Sequence, residues 1–332
     1  MLGILELITR IVTFLYDWLL GPNRLLFRSV RFSGGGKRVL VSGCDSGIGL
    51  RLAQRLHAAG YQVLAGCLST DSRGARELSQ LGGEHPVRVF QLDITDDQSV
   101  RQAIVQAELE EKGLWGLVNN AGVCVLGEFE WLTLEQVERT INVNLLGTLR
   151  LTKACLPFVR RSKGRVVSVS TVIAVSGMPC MAAYCASKVA LESFSDCLRL
   201  ELARHGAHIS VVRPGDLVKH TGLMDRQDKD AKAMWEGLNE EQRAVHELYM
   251  AGFTSGWLDD SPVFAHIEHA LGSARPRARY MSDKTMWALY LRILALMPVF
   301  VADRLQAVFY HVIKCLGVRH AREQQHHISK AF

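Results

Sequence analysis

The chain has 332 residues, of which 48% are hydrophobic and 22% charged. That length buries a substantial core, as one large α/β domain with additions or as two modest domains, and the composition excludes a disordered polymer. A net charge of +6, spread along the chain without a basic patch, argues against a nucleic-acid groove and suits an acidic membrane surface or an anionic cofactor.

Eight cysteines (Cys44, Cys67, Cys124, Cys155, Cys180, Cys185, Cys197 and Cys315) form no Cys-x-x-Cys pair and no regular framework. Neither a zinc site nor a disulfide scaffold is expected, so buried thiols in a reducing or cytosol-facing setting are the reading, and a zinc alcohol dehydrogenase is excluded. No metal is expected.

Residues 2–20 are rich in Leu, Ile, Val, Phe and Trp, while Glu6, Arg10, Thr13 and Asp17 recur at the spacing of one helical face. Three charges make full insertion expensive, so the segment reads as an amphipathic helix lying in a membrane interface, or docked on the domain or another subunit. Arg24, Arg28, Arg31, Lys37 and Arg38 follow it and favour an anionic lipid surface. Glu6 and the lack of a small-residue cleavage site fit neither a secretory signal nor a mitochondrial presequence.

Arg38 to Ser42 is a short apolar run ending at Gly43-Cys44-Asp45-Ser46-Gly47-Ile48-Gly49, after which Leu50 to Ala59 continue with helical period. Strand, glycine loop and helix form the context in which backbone turns tightly and NH groups at a helix start receive a pyrophosphate. Further strands are predicted at Tyr61–Leu68, at Val87–Leu92 before Asp93, and at Gly116–Val118, which runs into Asn119-Asn120-Ala121-Gly122. Strands alternating with helical stretches predict an α/β, Rossmann-like, doubly wound parallel sheet with helices on both faces, a ligand at the carboxyl ends of its strands, a lid and terminal apolar helices.

Tyr184 and Lys188, in Tyr184-Cys185-Ala186-Ser187-Lys188, share one face of a predicted helix at i and i+4. A phenol with a pKa of about 10 is a poor base near neutrality. An adjacent ammonium stabilises the phenolate and lowers that pKa.

The spacing Gly-x-x-x-Gly-x-Gly, then Asn-Asn-Ala-Gly, then Tyr-x-x-x-Lys, resembles the short-chain dehydrogenase/reductase family from about Lys37 to Gly215. Phe194-Ser195-Asp196-Cys197-Leu198-Arg199 and Ala274-Arg275-Pro276-Arg277-Ala278-Arg279-Tyr280 are similar to the branch of retinol dehydrogenases, type 2 hydroxysteroid dehydrogenases and 3-hydroxybutyrate dehydrogenase, extending the resemblance to about residue 310. The resemblance implies catalytic roles for Tyr184, Lys188, Thr171 and Asn144. Thr171 stands thirteen residues before the tyrosine, where the family has a substrate-orienting serine; it is preferred to Ser170 because adjacent strand residues point to opposite faces. Cofactor contacts are implied for Gly43, Ser46, Gly47, Ile48, Gly49, for Asp93 beside adenine, for Asn120, Ala121 and Gly122 as a wall beside the adenosine, and for Tyr184 and Lys188. Ser46 and Cys67-Leu68 lack the cations that meet a 2′-phosphate, which favours NAD and leaves NADP open, since no acid ends the second strand either. Lys219 occupies the place of the family's nicotinamide-contacting threonine, with Thr221 two residues on.

Three regions follow: 1–33, an N-terminal amphipathic helix and linker; 34–280, the dehydrogenase domain, with a mobile lid over 222–258; and 281–332, an apolar extension and tail in which Met286–Val301 lines a substrate entrance or touches a membrane. The resemblance implies an NAD(H)-dependent oxidoreductase interconverting a secondary alcohol and ketone, or a retinol-type alcohol, on a lipophilic substrate such as a steroid or retinoid. A 3-hydroxybutyrate-type dehydrogenase and a weakly catalytic cofactor-binding scaffold are the alternatives. Implied partners are the lipophilic small molecule, a membrane surface of the endoplasmic reticulum or alternatively of mitochondria, and a second copy of the chain in a homo-oligomer.

Overall fold

The computed structural model describes residues 33–215, 226–243, 262–282, 293–298 and 301–305. The expected interfacial helix at 2–20, the basic cluster from Arg24 to Arg31, Lys219, Thr221 and the solvated tail lie outside the described residues. Among the described residues, no helix is long and apolar enough to cross a membrane.

Seven strands form one sheet: β1 (Arg38–Ser42), β2 (Gln62–Cys67), β3 (Arg88–Gln91), β4 (Gly116–Asn119), β5 (Arg165–Val169), β6 (His208–Pro214) and β7 (Arg279–Ser282). Their order is β3-β2-β1-β4-β5-β6-β7, and every neighbouring pair is parallel. The chain reverses its direction of winding between β1 and β4, which places the ligand-binding crevice at their carboxyl ends. All four strands expected in the first half are present, each within two residues of its expected bounds.

Helices cover both faces, as a wholly parallel sheet requires. One face carries α1 (Gly47–Ala58) and α2 (Arg73–Ser79); the other carries α3 (Asp97–Gln106), with the short α4 (Leu109–Lys112) after it. Then come α5 (Leu134–Ile141), a π-helical turn over Asn142–Gly147, α6 (Thr148–Arg161) and the long α7 (Ala182–Ala203). Then come α8 (Gln227–Gly237) and α9 (Val263–Gly272). The two-residue period of β1 divides the core: Val39 and Val41 pack with Leu52 and Leu56 of α1 and Leu271 of α9. Leu40 packs on the opposite face with Leu117, Leu151, Phe158 and Leu198.

The expected lid at 222–258 is described only in part, and that part is docked. Met234 of α8 is fully buried, and its sulfur stands where a Cβ on Gly127 would clash, at 2.6 Å. Gln227 donates to and accepts from the backbone of Leu126, at 2.9 and 3.1 Å. Asp230, 3% exposed, pairs with Arg139 of α5 at 2.7 Å. A mostly buried ion pair with a two-point backbone clamp holds α8 against the loop after β4.

Leu117 is fully buried in the central strand β4, whereas Val105, on the outer face of α3, is 75% exposed. Leu117→Ala is expected to lower unfolding free energy by about 2–5 kcal/mol. Val105→Ala should change it by less than about 0.5 kcal/mol, both read from urea unfolding.

Candidate active site

The glycine loop after β1 is built by close approach. Gly43 and Gly47 adopt φ of 72° and 56°, the left-handed region that glycine enters without strain. A Cβ at Gly49 would fall 2.0 Å from the Gly43 carbonyl oxygen, and one at Gly43 would fall 2.9 Å from the Ala121 Cα. The Ser42 hydroxyl accepts from the backbone NH groups of Asn120 and Ala121, both at 3.1 Å. The Asn120 amide returns to the carbonyls of Ser42 and Gly43, at 2.9 and 3.1 Å. The loop after β1 and the expected adenosine wall after β4 are thus laced together across the reversal point of the sheet.

The start of α1 fits an anion. Its N-cap Ser46 is exposed and makes no capping bond, and its first turn holds no acid. By contrast α2, α3 and α5 are closed by Ser72, Asp96 and Thr133. The open NH groups and helix dipole of α1 therefore face the glycine loop uncompensated, beside Ile48, as pyrophosphate binding requires. Asp93, just past β3, spends one carboxylate oxygen on the backbone NH and hydroxyl of Thr95, at 2.8 and 2.7 Å.

At the carboxyl end of β2 the sequence shows no acid, but the structure brings one there. Asp45 accepts from the backbone NH groups of Leu68 and Ser69, at 2.9 and 3.1 Å. Its backbone carbonyl receives the Gly74 NH at 3.1 Å. Sequence reasoning passed over this residue because its partners lie 23 and 24 positions away. The available signal was an acid within the glycine loop itself.

Tyr184, Lys188, Thr171 and Asn144 converge on the same edge. Tyr184 is 8% exposed and hydrogen-bonds the Thr171 hydroxyl. Ser170 turns away and donates to Glu192 at 2.7 Å, so the opposite-faces expectation separates the two hydroxyls correctly. The Lys188 ammonium donates to the Val169 carbonyl at 2.9 Å and lies 5.8 Å from the centre of the Tyr184 ring. Asn144, fully buried in the π-helical turn, clamps Val123 through both backbone groups at 2.8 and 2.9 Å and donates to Ser187 at 3.0 Å. A Cβ on Gly122 would lie 3.2 Å from the Asn144 amide oxygen and 3.5 Å from the Lys188 nitrogen, so the wall after β4 runs directly into the Tyr184 and Lys188 side.

The electrostatics differ from the expectation in one respect. Burial pushes the Tyr184 phenol above its ordinary value, against a lowering by the Thr171 hydrogen bond. The Lys188 ammonium is itself brought down to about 8 by burial, so desolvation acts on both members of the pair. The thiols stay neutral, because burial raises Cys124 to about 12 and raises Cys185.

A cavity of about 610 Å³ opens beside Cys185, between residues 175–179, the start of α7 and Leu294, Ala295, Met297, Ala302 and Asp303. Met178, Leu294 and Met297 give it an apolar wall, and among the described lining residues Asp303 alone is charged. Cys185, Leu294 and Met281 pack in one cluster with Tyr184, which joins the expected apolar C-terminal extension to the edge that carries the tyrosine.

A doubly wound parallel sheet with an open glycine loop at its reversal point, and a buried tyrosine and lysine facing it, defines a nucleotide-dependent oxidoreductase. The chain belongs to the short chain dehydrogenase family, whose sequence profile matches residues 37–232. It is 38% identical to rat mitochondrial D-beta-hydroxybutyrate dehydrogenase over 90% of its own length and 92% of that protein. Mouse retinol dehydrogenase 7 is 35% identical, over 80% of this chain and 86% of that one. Human retinol dehydrogenase 5 is 36% identical, over 81% and 87%. The protein is accordingly an oxidoreductase that acts on CH–OH groups of a small molecule with a nicotinamide dinucleotide.

Because a Cβ at Gly49 would collide with the Gly43 carbonyl and with the Asn120 side-chain amide, Gly49→Ala must push the loop open. NADH affinity, read by fluorescence, should fall at least about tenfold, the equivalent of 1.4 kcal/mol. Gly82→Ala, where a Cβ meets nothing, should leave it unchanged.

Proposed function

We propose that the protein is an NAD(H)-dependent dehydrogenase of a lipophilic secondary alcohol or retinol-type alcohol, a steroid or retinoid in class, with Tyr184 as the proton-transferring residue. The observation that carries this reading is the meeting of Tyr184, Thr171 and Lys188 at the end of β5, beside an apolar cavity with no cation in its described lining. The nicotinamide, when bound, exchanges a hydride with the carbinol carbon. Gly43, Ser46, Gly47, Ile48 and Gly49 hold its pyrophosphate; Asp93, Asn120, Ala121 and Gly122 line its adenosine.

Thr171 holds the substrate oxygen within reach of the Tyr184 hydroxyl, which gives a proton to that oxygen in reduction and withdraws it in oxidation. A buried phenol held protonated suits the first role directly. In the second, the Lys188 ammonium carries the charge compensation, and it also reaches the ribose. Asn144 braces Val123 and Ser187 behind the pair.

Preference for NAD over NADP rests on Asp45. A carboxylate fixed by two NH groups at the end of β2 accepts from a 2′-hydroxyl and repels a 2′-phosphate. Asp45→Ala is expected to weaken NADH and strengthen NADPH binding, each by about tenfold, as for one lost or relieved charged contact. Unchanged relative affinities in a fluorescence titration would remove Asp45 from this role.

The substrate class is supported by the cavity and by the similarity to retinol dehydrogenases. A carboxylate such as 3-hydroxybutyrate would meet Asp303 and no compensating cation among the described lining residues. Residues 34–280 form the dehydrogenase domain; 1–33 attach it to a membrane of the endoplasmic reticulum, where such substrates partition, and 281–332 extend the substrate side. Purified protein offered steroids, retinol and 3-hydroxybutyrate with NAD should reduce the nucleotide with the lipophilic alcohols. Tyr184→Phe should lower kcat by at least about a hundredfold, the usual worth of general acid–base catalysis. Turnover of 3-hydroxybutyrate alone overturns the substrate class, and full activity of Tyr184→Phe overturns the mechanism.

A further inference from the structure

Three consecutive residues at the end of β5 meet three residues of α7 spaced one turn apart. The Thr171 hydroxyl meets Tyr184, the Val169 carbonyl receives Lys188 at 2.9 Å, and the Ser170 hydroxyl donates to Glu192 at 2.7 Å. Tyr184, Lys188 and Glu192 stand at i, i+4 and i+8 on one buried helix face. Glu192 is 5% exposed, and burying a carboxylate there is costly unless it is paired. It accepts from Arg213 of β6 at both oxygens, at 2.8 and 2.5 Å, and lies 3.5 Å from Arg279 of β7. Arg279 in turn pairs with Asp196, one turn further along α7.

We propose that Glu192 is a positioning residue for the reaction assigned above: its carboxylate sets the register of the β5 end on α7 and supplies the counter-charge that keeps the Lys188 ammonium in place beside the nucleotide. The inference rests on the reading of Tyr184 and Lys188 as the reactive pair. A carboxylate that served only to neutralise Arg213 and Arg279 could stand anywhere along their strands. This one sits one helical turn from Lys188 and on the residue preceding Thr171, so it fixes both neighbours of Tyr184 at once.

The charges facing Lys188 decide the sign. From its own helix come Tyr184 and Glu192; from the segment after β4 comes the neutral Cys124 thiol; from β5 comes only the Val169 carbonyl. Arg213 and Arg279 stand behind Glu192. Burial depresses the ammonium, whereas the Glu192 carboxylate supports it. Removing the carboxylate takes away that support and leaves the Arg213 guanidinium without its carboxylate partner on the same side, so Lys188 loses its proton at lower pH.

The experiment is a pH series of NADH affinity, read by fluorescence, with kcat and KM measured beside it. In the wild type, affinity should fall as pH rises through about 8, where the ammonium is lost. Glu192→Gln should move that midpoint down by about one pH unit, the lower end expected for a lost opposite charge at close range. KM for the alcohol should rise with it, because Thr171 shifts, and Glu192→Asp, which keeps the charge, should restore the midpoint at least in part.

If Glu192→Gln does not fold, Glu192→Gln with Arg213→Met removes both halves of the buried pair, which avoids a lone buried charge. The same downward shift is expected there, because Glu192 and not Arg213 is the group acting on Lys188. A variant that is merely less stable, with the NADH midpoint and the pH profile of kcat/KM unmoved, overturns the proposal. Tyr184→Phe run alongside separates the two levels: if it stays active the underlying assignment fails, whereas an inactive Tyr184→Phe with an unmoved Glu192→Gln midpoint defeats the role of Glu192 alone.

Discussion

The Ser42 hydroxyl, 1% exposed at the end of β1, receives the backbone NH groups of Asn120 and Ala121 from the end of β4. The two strands are neighbours in space but Ser42 and Gly116 are 74 positions apart in the chain, and it is here that the winding of the sheet reverses. A reversal leaves the helices on either side diverging, so backbone polar groups in the gap have no helix or strand to satisfy them. Ser42 and the Asn120 amide satisfy them instead. In doing so they press Ala121 against Gly43 so closely that no side chain fits on the glycine. The nucleotide crevice is a consequence of that closure.

The two halves of the site are then brought together by one residue's lack of a side chain. Gly122 continues the wall from Ala121, and a Cβ there would stand 3.2 Å from the Asn144 amide oxygen and 3.5 Å from the Lys188 nitrogen. Asn144 sits in a π-helical turn, a single wide turn that typically marks functional positions, and from there it holds Val123 and Ser187. The Tyr184 and Lys188 face of α7 is thereby fixed relative to the glycine loop without any direct bond between the two.

Desolvation sets the character of this edge. Tyr184, Lys188 and Glu192 are all buried, so each charge there depends on a named partner. Two sequence-level arguments meet this fact differently. Pairing of Tyr184 with Lys188 at i, i+4 follows from helix geometry alone and holds in three dimensions. The lowering of the phenol's pKa expected from the nearby lysine is outweighed, because burial raises the tyrosine and lowers the lysine. Spacing reveals which groups meet, and burial decides what the meeting does.

Strand periodicity, the glycine spacing and the helical face of Tyr184 and Lys188 were legible in the sequence because each is local: backbone geometry over two to five residues dictates them. They determined the parallel doubly wound sheet, the family and the separation of Thr171 from Ser170. Asp45 at the end of β2, Arg213 and Arg279 around Glu192, and the apolar cavity joining Leu294, Met297 and Asp303 to Cys185 belong to the tertiary structure alone. Each joins segments from about 20 to more than 100 positions apart, and a single chain carries no local pattern for such contacts. They arise where parallel strands separated in sequence end side by side, and buried charge there must find its partner across the sheet.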